Sequence, residues 1–267
     1  MTRLGYEVFV RLDGPVNAPL LTLLHGFPSS SHDWAMVLPG LIQQHRVLTF
    51  DFLGLGDSDK PREFSYQLFQ QADLVQEIWE VLKLPAGGVL VAHDYGVSVA
   101  QELLARGIPF QRVAWLNGGI YPDLHRPVPA QLALAGPDGA QVAATMTPDV
   151  IAHNLRRVTS RPIPDRIIAD MSGSIAKRDG LRNVPRILSY MEQRRLNQQR
   201  WVTALESAQI PYAFVWGLKD PISGEHVLFR IRERFPRATI TALNDVGHYP
   251  QVEAPQQALD ALIAFLN

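Results

Sequence analysis

The sequence feature that most constrains the fold is residues 89–96, which read Val-Leu-Val-Ala-His-Asp-Tyr-Gly. An apolar run ends there on a charged residue that small residues flank, and a helical stretch follows over residues 97–106. This pattern predicts a strand, a tight turn and a helix, with the Asp94 side chain presented at the turn. Because Asp is also a favoured helix N-cap, these residues alone leave a catalytic and a capping role for Asp94 equally open.

The chemistry of a carboxylate narrows the reactions that Asp94 could perform. The reference pKa of Asp is about 3.9, so the side chain is ionised at pH 7 and can act as a nucleophile without a base. Attack on an ester carbonyl would form an anhydride, which is no easier to resolve than the ester. Attack on a saturated carbon displaces a leaving group and forms an ordinary ester. Asp94 therefore favours epoxides or alkyl halides as substrates.

Continuous apolar runs recur along the chain and alternate with helical patterns. Such runs are typical of strands buried on both faces of a parallel sheet. We predict strands at residues 20–24, 47–50, 89–91, 113–116, 212–216 and 239–243. Residues 6–12 alternate in polarity and predict an edge strand in a hairpin. The alternation of strands with helices predicts an α/β fold with a mostly parallel, doubly wound sheet.

The alternation lapses after Gly119. Residues 122–207 are rich in Pro and Arg, include helix-like stretches over 148–157 and 187–205, and show no clear strand. We predict a helical cap at 122–207, inserted between two parts of one core, residues 1–121 and 208–267. A cap of this kind would cover the carboxyl ends of the strands, where ligands bind in open α/β folds.

Composition limits the partners of the protein. The 267 residues carry a formal net charge of -1 with no long basic run, which gives no electrostatic case for nucleic acid. We expect a small neutral organic substrate and water, and the oligomeric state stays open. The absence of cysteine excludes disulfides and thiolate metal sites, and the predicted chemistry needs no cofactor. No apolar run approaches the roughly 20 residues of a membrane span, and the N-terminus is not signal-like, so we expect a cytoplasmic protein.

Three further motifs follow predicted strands. His25-Gly26-Phe27-Pro28 contains a glycine turn, which lets backbone N–H groups converge on an oxyanion. Asp220 and His248 each fall just past the end of a later strand. Together with Asp94, these two residues follow the chain order nucleophile, acid, histidine. One class of catalytic triad has its members in this order. Asp123, which follows the strand ending near residue 117, is the alternative acid.

These motifs resemble those of α/β hydrolases of the epoxide hydrolase and haloalkane dehalogenase group, and within that group the mesoderm-specific transcript family. The resemblance spans nearly the whole chain. The residues that carry it are His25-Gly26-Phe27-Pro28, Asp51-Phe52-Leu53-Gly54, Ser58-Asp59-Lys60-Pro61-Arg62, His93-Asp94-Tyr95-Gly96, Asn117-Gly118-Gly119-Ile120, His125-Arg126-Pro127 and His248-Tyr249-Pro250-Gln251.

The resemblance implies an α/β-hydrolase fold and a triad of Asp94, Asp220 and His248. It also implies an oxyanion hole formed by the backbone amides of Phe27 and Tyr95. The residues that we expect at the substrate pocket are His25, Pro28, His93 and Tyr121.

The leaving group separates the two reactions of this group. Similar dehalogenases hold the halide with N–H donors on a Trp after the nucleophile and on an Asn or Trp elsewhere, where this chain has Tyr95 and Phe27. An epoxide leaves as an alkoxide, which calls for a proton donor with a pKa of about 10, such as Tyr. Similar epoxide hydrolases use cap tyrosines, and here Tyr190 is the candidate, with Tyr121 at the cap border.

We therefore predict a hydrolase of the epoxide hydrolase type. Asp94 opens the ring, Tyr190 protonates the leaving oxygen, and His248, oriented by Asp220, activates water. The alternatives are a dehalogenase with an atypical halide site, a lipid acyl-transfer enzyme, and a non-catalytic ligand-binding protein on the same fold.

Overall fold

A computed structural model describes all 267 residues of the chain. Seven strands form one sheet. Their bounds are β1 Val10–Asp13, β2 Leu20–Leu24, β3 Arg46–Phe50, β4 Gly88–Ala92, β5 Phe110–Leu116, β6 Tyr212–Gly217 and β7 Thr239–Leu243. The order across the sheet is β1-β3-β2-β4-β5-β6-β7, which places β4 at its centre.

All neighbouring strands are parallel except β1 and β3, which are antiparallel. This arrangement confirms the predicted α/β fold with a mostly parallel sheet. The expected hairpin between the first two strands is wrong, because β2 is paired with β3 on one side and β4 on the other. The first strand instead pairs with β3 at the edge of the sheet, with Val10 opposite Phe50.

Helices surround the sheet. Their bounds are α1 Leu38–Leu41, α2 Leu68–Val81, α3 Tyr95–Ala105, α4 Pro129–Ala135, α5 Gly139–Ala144, α6 Pro148–Val158, α7 Asp165–Ala176, α8 Val184–Ile187, α9 Tyr190–Leu196, α10 Gln198–Ser207, α11 Glu225–Arg234, α12 Pro250–Glu253 and α13 Pro255–Leu266. Short 3₁₀ turns lie at Ser31–Trp34, Pro122–Leu124 and Lys177–Asn183. None of the helices combines the length and the apolarity that crossing a bilayer requires.

The two faces of the sheet pack against separate hydrophobic clusters. In β4, Leu90 and Ala92 join the larger cluster, and Val89 and Val91 join the smaller one on the opposite face. Successive side chains of a strand point to opposite faces, so a strand buried on both faces needs a continuous apolar run. The central strands therefore read as unbroken apolar segments in the sequence.

Between β5 and β6 the chain forms helices and no strand. We call residues 122–207 the helical insertion. Its buried apolar side chains belong to the larger of the two hydrophobic clusters, so the insertion packs on one face of the molecule's core. The stretch 187–205 is divided between α8, α9 and α10, with breaks near Ser189 and Asn197. Both breaking residues have short polar side chains that compete with helical hydrogen bonds.

Candidate active site

Asp94 lies at the turn between β4 and α3, in a backbone conformation that residues other than glycine rarely adopt. Its backbone angles are φ 46° and ψ -107°, and such strained residues cluster at functional sites. Close packing fixes the turn, because a Cβ added at Gly96 would lie 2.6 Å from the Leu24 carbonyl oxygen. The Asp94 amide also donates a hydrogen bond of 2.9 Å to the Asn117 carbonyl. The carboxylate is therefore held out from the end of the strand.

Asp94, His248 and Asp220 form a connected line of side chains. The Nε2 atom of His248 lies 3.3 Å from Asp94 Oδ2, and its Nδ1 atom lies 2.8 Å from Asp220 Oδ2. The Phe27 amide donates a hydrogen bond of 2.8 Å to the other carboxylate oxygen of Asp94, Oδ1. All three members of the line are almost completely buried. One Asp94 oxygen thus faces the imidazole and the other faces a backbone donor.

The charges in this line stabilise one another. Burial raises the pKa of Asp94, but the hydrogen bond and charge of His248 outweigh burial, and Arg194 adds to them, so the pKa lies well below its usual range. Burial lowers the pKa of His248, whereas the charges of Asp220 and Asp94 raise it to about 10. At neutral pH the site therefore contains two carboxylates and a protonated imidazole. Asp94 is ready to attack without losing a proton.

Asp220 is the acid that the structure brings to His248, and Asp123 is not. Asp220 accepts hydrogen bonds from the Asn117 side chain at 3.0 Å, the Ser223 hydroxyl at 2.7 Å and the Ile222 amide at 2.8 Å. Asp123 lies on the turn Pro122–Leu124, where its partly exposed side chain pairs with Arg230 at 2.6 Å.

A cavity of about 80 Å³ opens beside Asp94. Asp94 and His248 both line it, and 13 of its 18 lining residues are hydrophobic. Pro28 and the side chain of Tyr249 are also part of the wall. A reactive carboxylate in an otherwise apolar cavity suits a small, largely apolar substrate.

Comparison with known proteins identifies the family of the chain. Residues 23–262 match the model of the alpha/beta hydrolase family. The mesoderm-specific transcript protein of Mus musculus is 38% identical over 273 residues, covering 95% of this chain and 81% of the relative. The putative hydrolase LipZ of Mycobacterium tuberculosis is also 38% identical and covers 97% of this chain and 92% of the relative.

The chain belongs to the alpha/beta hydrolase family. Among solved structures, a loop variant of the haloalkane dehalogenase from Bradyrhizobium elkanii has a TM-score of 0.83 at 20% identity, covering 100% of this chain and 95% of that chain. The predicted resemblance is thus confirmed at the level of family and fold.

Tyr190 lies close to Asp94 in this α/β hydrolase. It begins α9, is completely buried, and packs its ring between Phe27 and Tyr95, with ring centroids 6.2 and 5.4 Å away. Burial and the Asp94 charge raise the pKa of its hydroxyl above the usual range. That hydroxyl accepts a hydrogen bond of 3.1 Å from Gln131, which itself lines the cavity. The hydroxyl proton is therefore left without a protein acceptor.

Of the residues expected at the substrate pocket, only Pro28 lines the cavity. His25 accepts a hydrogen bond of 3.0 Å from the Phe52 amide and supports the neighbouring loop. His93 Nε2 lies 2.8 Å from the His248 carbonyl oxygen, so His93 supports the backbone of that residue. The Tyr121 hydroxyl donates a hydrogen bond of 2.9 Å to Glu206. The structure does not bring these three side chains to the cavity wall.

Several residues of the site carry no distinctive sequence signal. Glu253 accepts hydrogen bonds from the amides of Gly247 and Tyr249, each at 2.9 Å, and thereby fixes the loop that carries His248. Asn117 orients Asp220, and its place at a strand end was the one available clue. Arg194, one of many arginines in the helical insertion, donates a hydrogen bond of 3.1 Å to the Asp94 carbonyl oxygen, and only the three-dimensional structure identifies it.

Proposed function

We propose that this α/β hydrolase converts epoxides to diols through an alkyl ester on Asp94, with the helical insertion acting as a cap over the site. The observation that carries the proposal is a pair of side chains. An ionised carboxylate sits where attack on carbon needs no base, and beside it a buried tyrosine keeps a proton that no protein group accepts. A carboxylate nucleophile with a nearby phenol suits a leaving group that departs as an alkoxide.

The first step breaks one carbon–oxygen bond of the epoxide ring. Asp94 Oδ2 attacks a ring carbon and forms an ester, while the electron pair of the broken bond stays on the ring oxygen. Tyr190 protonates that oxygen, and the proton of the His248 imidazolium restores the tyrosine. Ester formation removes the negative charge of Asp94, which had helped to raise the pKa of His248. The imidazole is then neutral and able to act as a base.

The second step hydrolyses the ester. His248 removes a proton from water, and the resulting hydroxide attacks the Asp94 carbonyl carbon. The Phe27 amide, which already contacts Oδ1 at 2.8 Å, and the Tyr95 amide hold the oxyanion. Collapse of the intermediate releases the diol, which carries away one proton. The proton of the new carboxyl group returns to His248, so the starting charges are restored.

Halide displacement is the second reaction open to this nucleophile, but the side chains favour it less. Phe27 and Tyr95 pack their rings against Tyr190, and neither ring carries an N–H donor for a departing halide. A panel of epoxides, such as styrene oxide, and of haloalkanes tests this choice. We expect diol from the epoxides without release of chloride or bromide from the haloalkanes.

The covalent step is tested with His248→Gln. If His248 acts on water and Asp94 attacks unaided, this variant should accumulate the ester. Denaturing mass spectrometry after incubation with styrene oxide should show a protein heavier by one substrate, with the added mass on the peptide that contains Asp94. Asp94→Ala is the matched control and should gain no mass.

A serine-type hydrolase would give the opposite result, because its histidine is needed for the attack itself. An epoxide that the parent hydrolyses but that never labels His248→Gln would exclude the carboxylate mechanism. Halide release without diol would assign the dehalogenase reaction. Failure of every substrate would favour a non-catalytic or acyl-transfer role for the fold.

A further inference from the structure

The guanidinium of Arg194 is buried beside the nucleophile without a carboxylate partner. Arg194 as a whole is only 1% exposed to solvent. Its Nε atom donates to the Ser98 hydroxyl at 2.5 Å and its Nη2 atom donates to the Asp94 carbonyl oxygen at 3.1 Å. Its Cζ atom lies 4.4 Å from the Tyr190 ring centroid. The Nη1 atom has no hydrogen-bond partner. Buried arginines are almost always paired, so this free donor needs an explanation.

A second group without partners lies near Arg194. Both ring nitrogens of His125 are buried and unbonded. Burial, followed by the charge of Arg194, lowers the pKa of His125 to about 4, so its imidazole is neutral at pH 7. A neutral imidazole still offers one N–H donor. His125 belongs to the His125-Arg126-Pro127 motif, to which the proposed reaction gives no role.

These two side chains line the same cleft in the helical insertion, together with apolar residues that include Pro127 and Met191. Leu188 lines both this cleft and the cavity that holds Asp94. The cleft and the reaction cavity therefore adjoin at Leu188. A single substrate molecule could contact both places.

The two unpartnered donors indicate which chemical group would satisfy them. The two carboxylates, Asp94 and Asp220, balance the cations His248 and Arg194 when the imidazole is protonated. Once Asp94 is an ester and His248 is neutral, Arg194 and Asp220 still balance each other, and the Nη1 atom of Arg194 keeps an N–H without a hydrogen-bond partner. Two N–H donors, one of them permanently charged, match the two oxygens of a carboxylate.

We propose that Arg194 and His125 form a carboxylate-binding subsite, so that the preferred substrates are epoxides with a carboxylate on or next to the ring, the glycidate class. This inference rests on the proposed epoxide hydrolysis for its substrate, but the subsite itself does not. The Arg194 Nη1 and the His125 N–H each bind one carboxylate oxygen, and Arg194 keeps its bonds to Ser98 and to the Asp94 backbone. Arg194 is thereby both a positioning and a specificity-determining residue.

Binding of two matched probes tests the subsite without any turnover. Cinnamate and cinnamamide have the same shape and differ in one charge. By titration calorimetry at pH 7.5, we expect the parent to bind cinnamate roughly 10-fold more tightly than cinnamamide, the contribution of hydrogen bonds to a charged group. His125→Phe and Arg194→Gln should each reduce that preference to about 2-fold or less. Arg166→Gln, which removes an exposed cap arginine without side-chain partners, should leave it unchanged.

Kinetics give the second measurement. The ratio of kcat/KM for 3-phenylglycidate over that for its amide should be roughly 10 in the parent and close to 1 in His125→Phe. If Arg194→Gln does not fold, His125→Phe carries the test alone, because His125 has no hydrogen bond to lose.

The two proposals fail in different ways. A parent that binds cinnamate selectively but hydrolyses no epoxide would refute the proposed reaction and keep the subsite. A parent that hydrolyses styrene oxide but binds cinnamate and cinnamamide equally would refute the subsite alone. A carboxylate preference that survives in both His125→Phe and Arg194→Gln would also overturn it, since the anion would then bind elsewhere.

Discussion

The sheet core and the helical insertion contribute to the site in different ways. The core supplies Asp94, His248 and Asp220 from strand ends, each held by short hydrogen bonds to backbone or side-chain groups. The insertion supplies 12 of the 18 residues around the cavity, mostly aliphatic side chains on helices. Reacting groups need fixed geometry, whereas an apolar wall can change its shape at small cost. From this comparison we expect the core to determine the reaction and the insertion to determine which substrates fit.

The two regions are also joined in two different ways. Near the end of the insertion, the buried Glu102 of α3 accepts hydrogen bonds from Trp201 at 2.7 Å and from Arg200 at 3.0 Å. At the turn Lys177–Asn183, exposed pairs connect the insertion to the loop after β3, Asp57 with Lys177 and Asp59 with Arg178. The first joint is buried and the second is in solvent.

The largest expected effect comes from the core. Asp220→Asn should lower kcat about 10⁴-fold, because the amide cannot stabilise the His248 imidazolium or hold the required tautomer. Asp123→Asn should change kcat by less than about 2-fold, since its partner is the surface residue Arg230. Steady-state diol formation measures both. Equal losses in the two variants would contradict the assignment of the acid.

The next effect comes from the insertion and affects one step only. Tyr190→Phe should slow ring opening roughly 10²- to 10³-fold and leave ester hydrolysis unchanged, because the lost hydroxyl serves only the departing oxygen. Single-turnover rapid quench separates the two steps. Tyr121→Phe is the control, and its hydroxyl is already bound to Glu206. Unchanged ring opening in Tyr190→Phe would return that residue to a packing role.

The two joints should differ in their contribution to stability. Glu102→Gln should lower the free energy of unfolding by about 2–3 kcal/mol, because Arg106 and Arg200 lose the buried carboxylate with which they pair. Asp57→Asn should cost about 0.5 kcal/mol or less, as expected of an exposed ion pair. Urea unfolding of both variants measures the difference, and similar losses would show that the joints are equivalent.

The prediction with the smallest expected effect tests whether a buried carboxyl group in the core lowers the stability of the protein. Burial raises the pKa of Asp33 to about 8, against about 3.9 in the unfolded chain. The folded state therefore holds a proton that the unfolded state releases, so this residue lowers stability progressively as pH rises from 4 to 8.

Asp33→Asn removes that dependence. We expect its advantage over the parent in free energy of unfolding to grow by about 1 kcal/mol between pH 5 and pH 6. Urea unfolding at both pH values measures this change. Asp165→Asn, at a side chain that is 94% exposed, should show no such trend. A constant difference between Asp33→Asn and the parent would mean that Asp33 ionises normally.

The strand ends were predictable because a buried parallel strand must read as a continuous apolar run, and the polar residue after it is easy to see. Asp94, Asp220 and His248 all stand out in this way. His25 and His93 stand out equally, but the sequence does not reveal which way a side chain points, and both turn towards backbone groups. The breaks in the helices over 187–205 depend on tertiary packing. The contact between Arg194 and Ser98 of α3 depends on where these breaks fall, so it could not be predicted from the sequence.

The bond between Arg194 and the Asp94 carbonyl oxygen bears on how such proteins can be recombined. The arginine lies in the helical insertion, and Asp94 lies in the core. A chimera that grafts the insertion of a distant relative onto this core would thus replace a cation that the nucleophile's own peptide group contacts. Exchange of insertions should succeed between parents that keep an arginine at this place and should fail between parents that do not, however well their apolar surfaces fit. In this protein, the exchange of insertions therefore depends on whether this hydrogen bond can form.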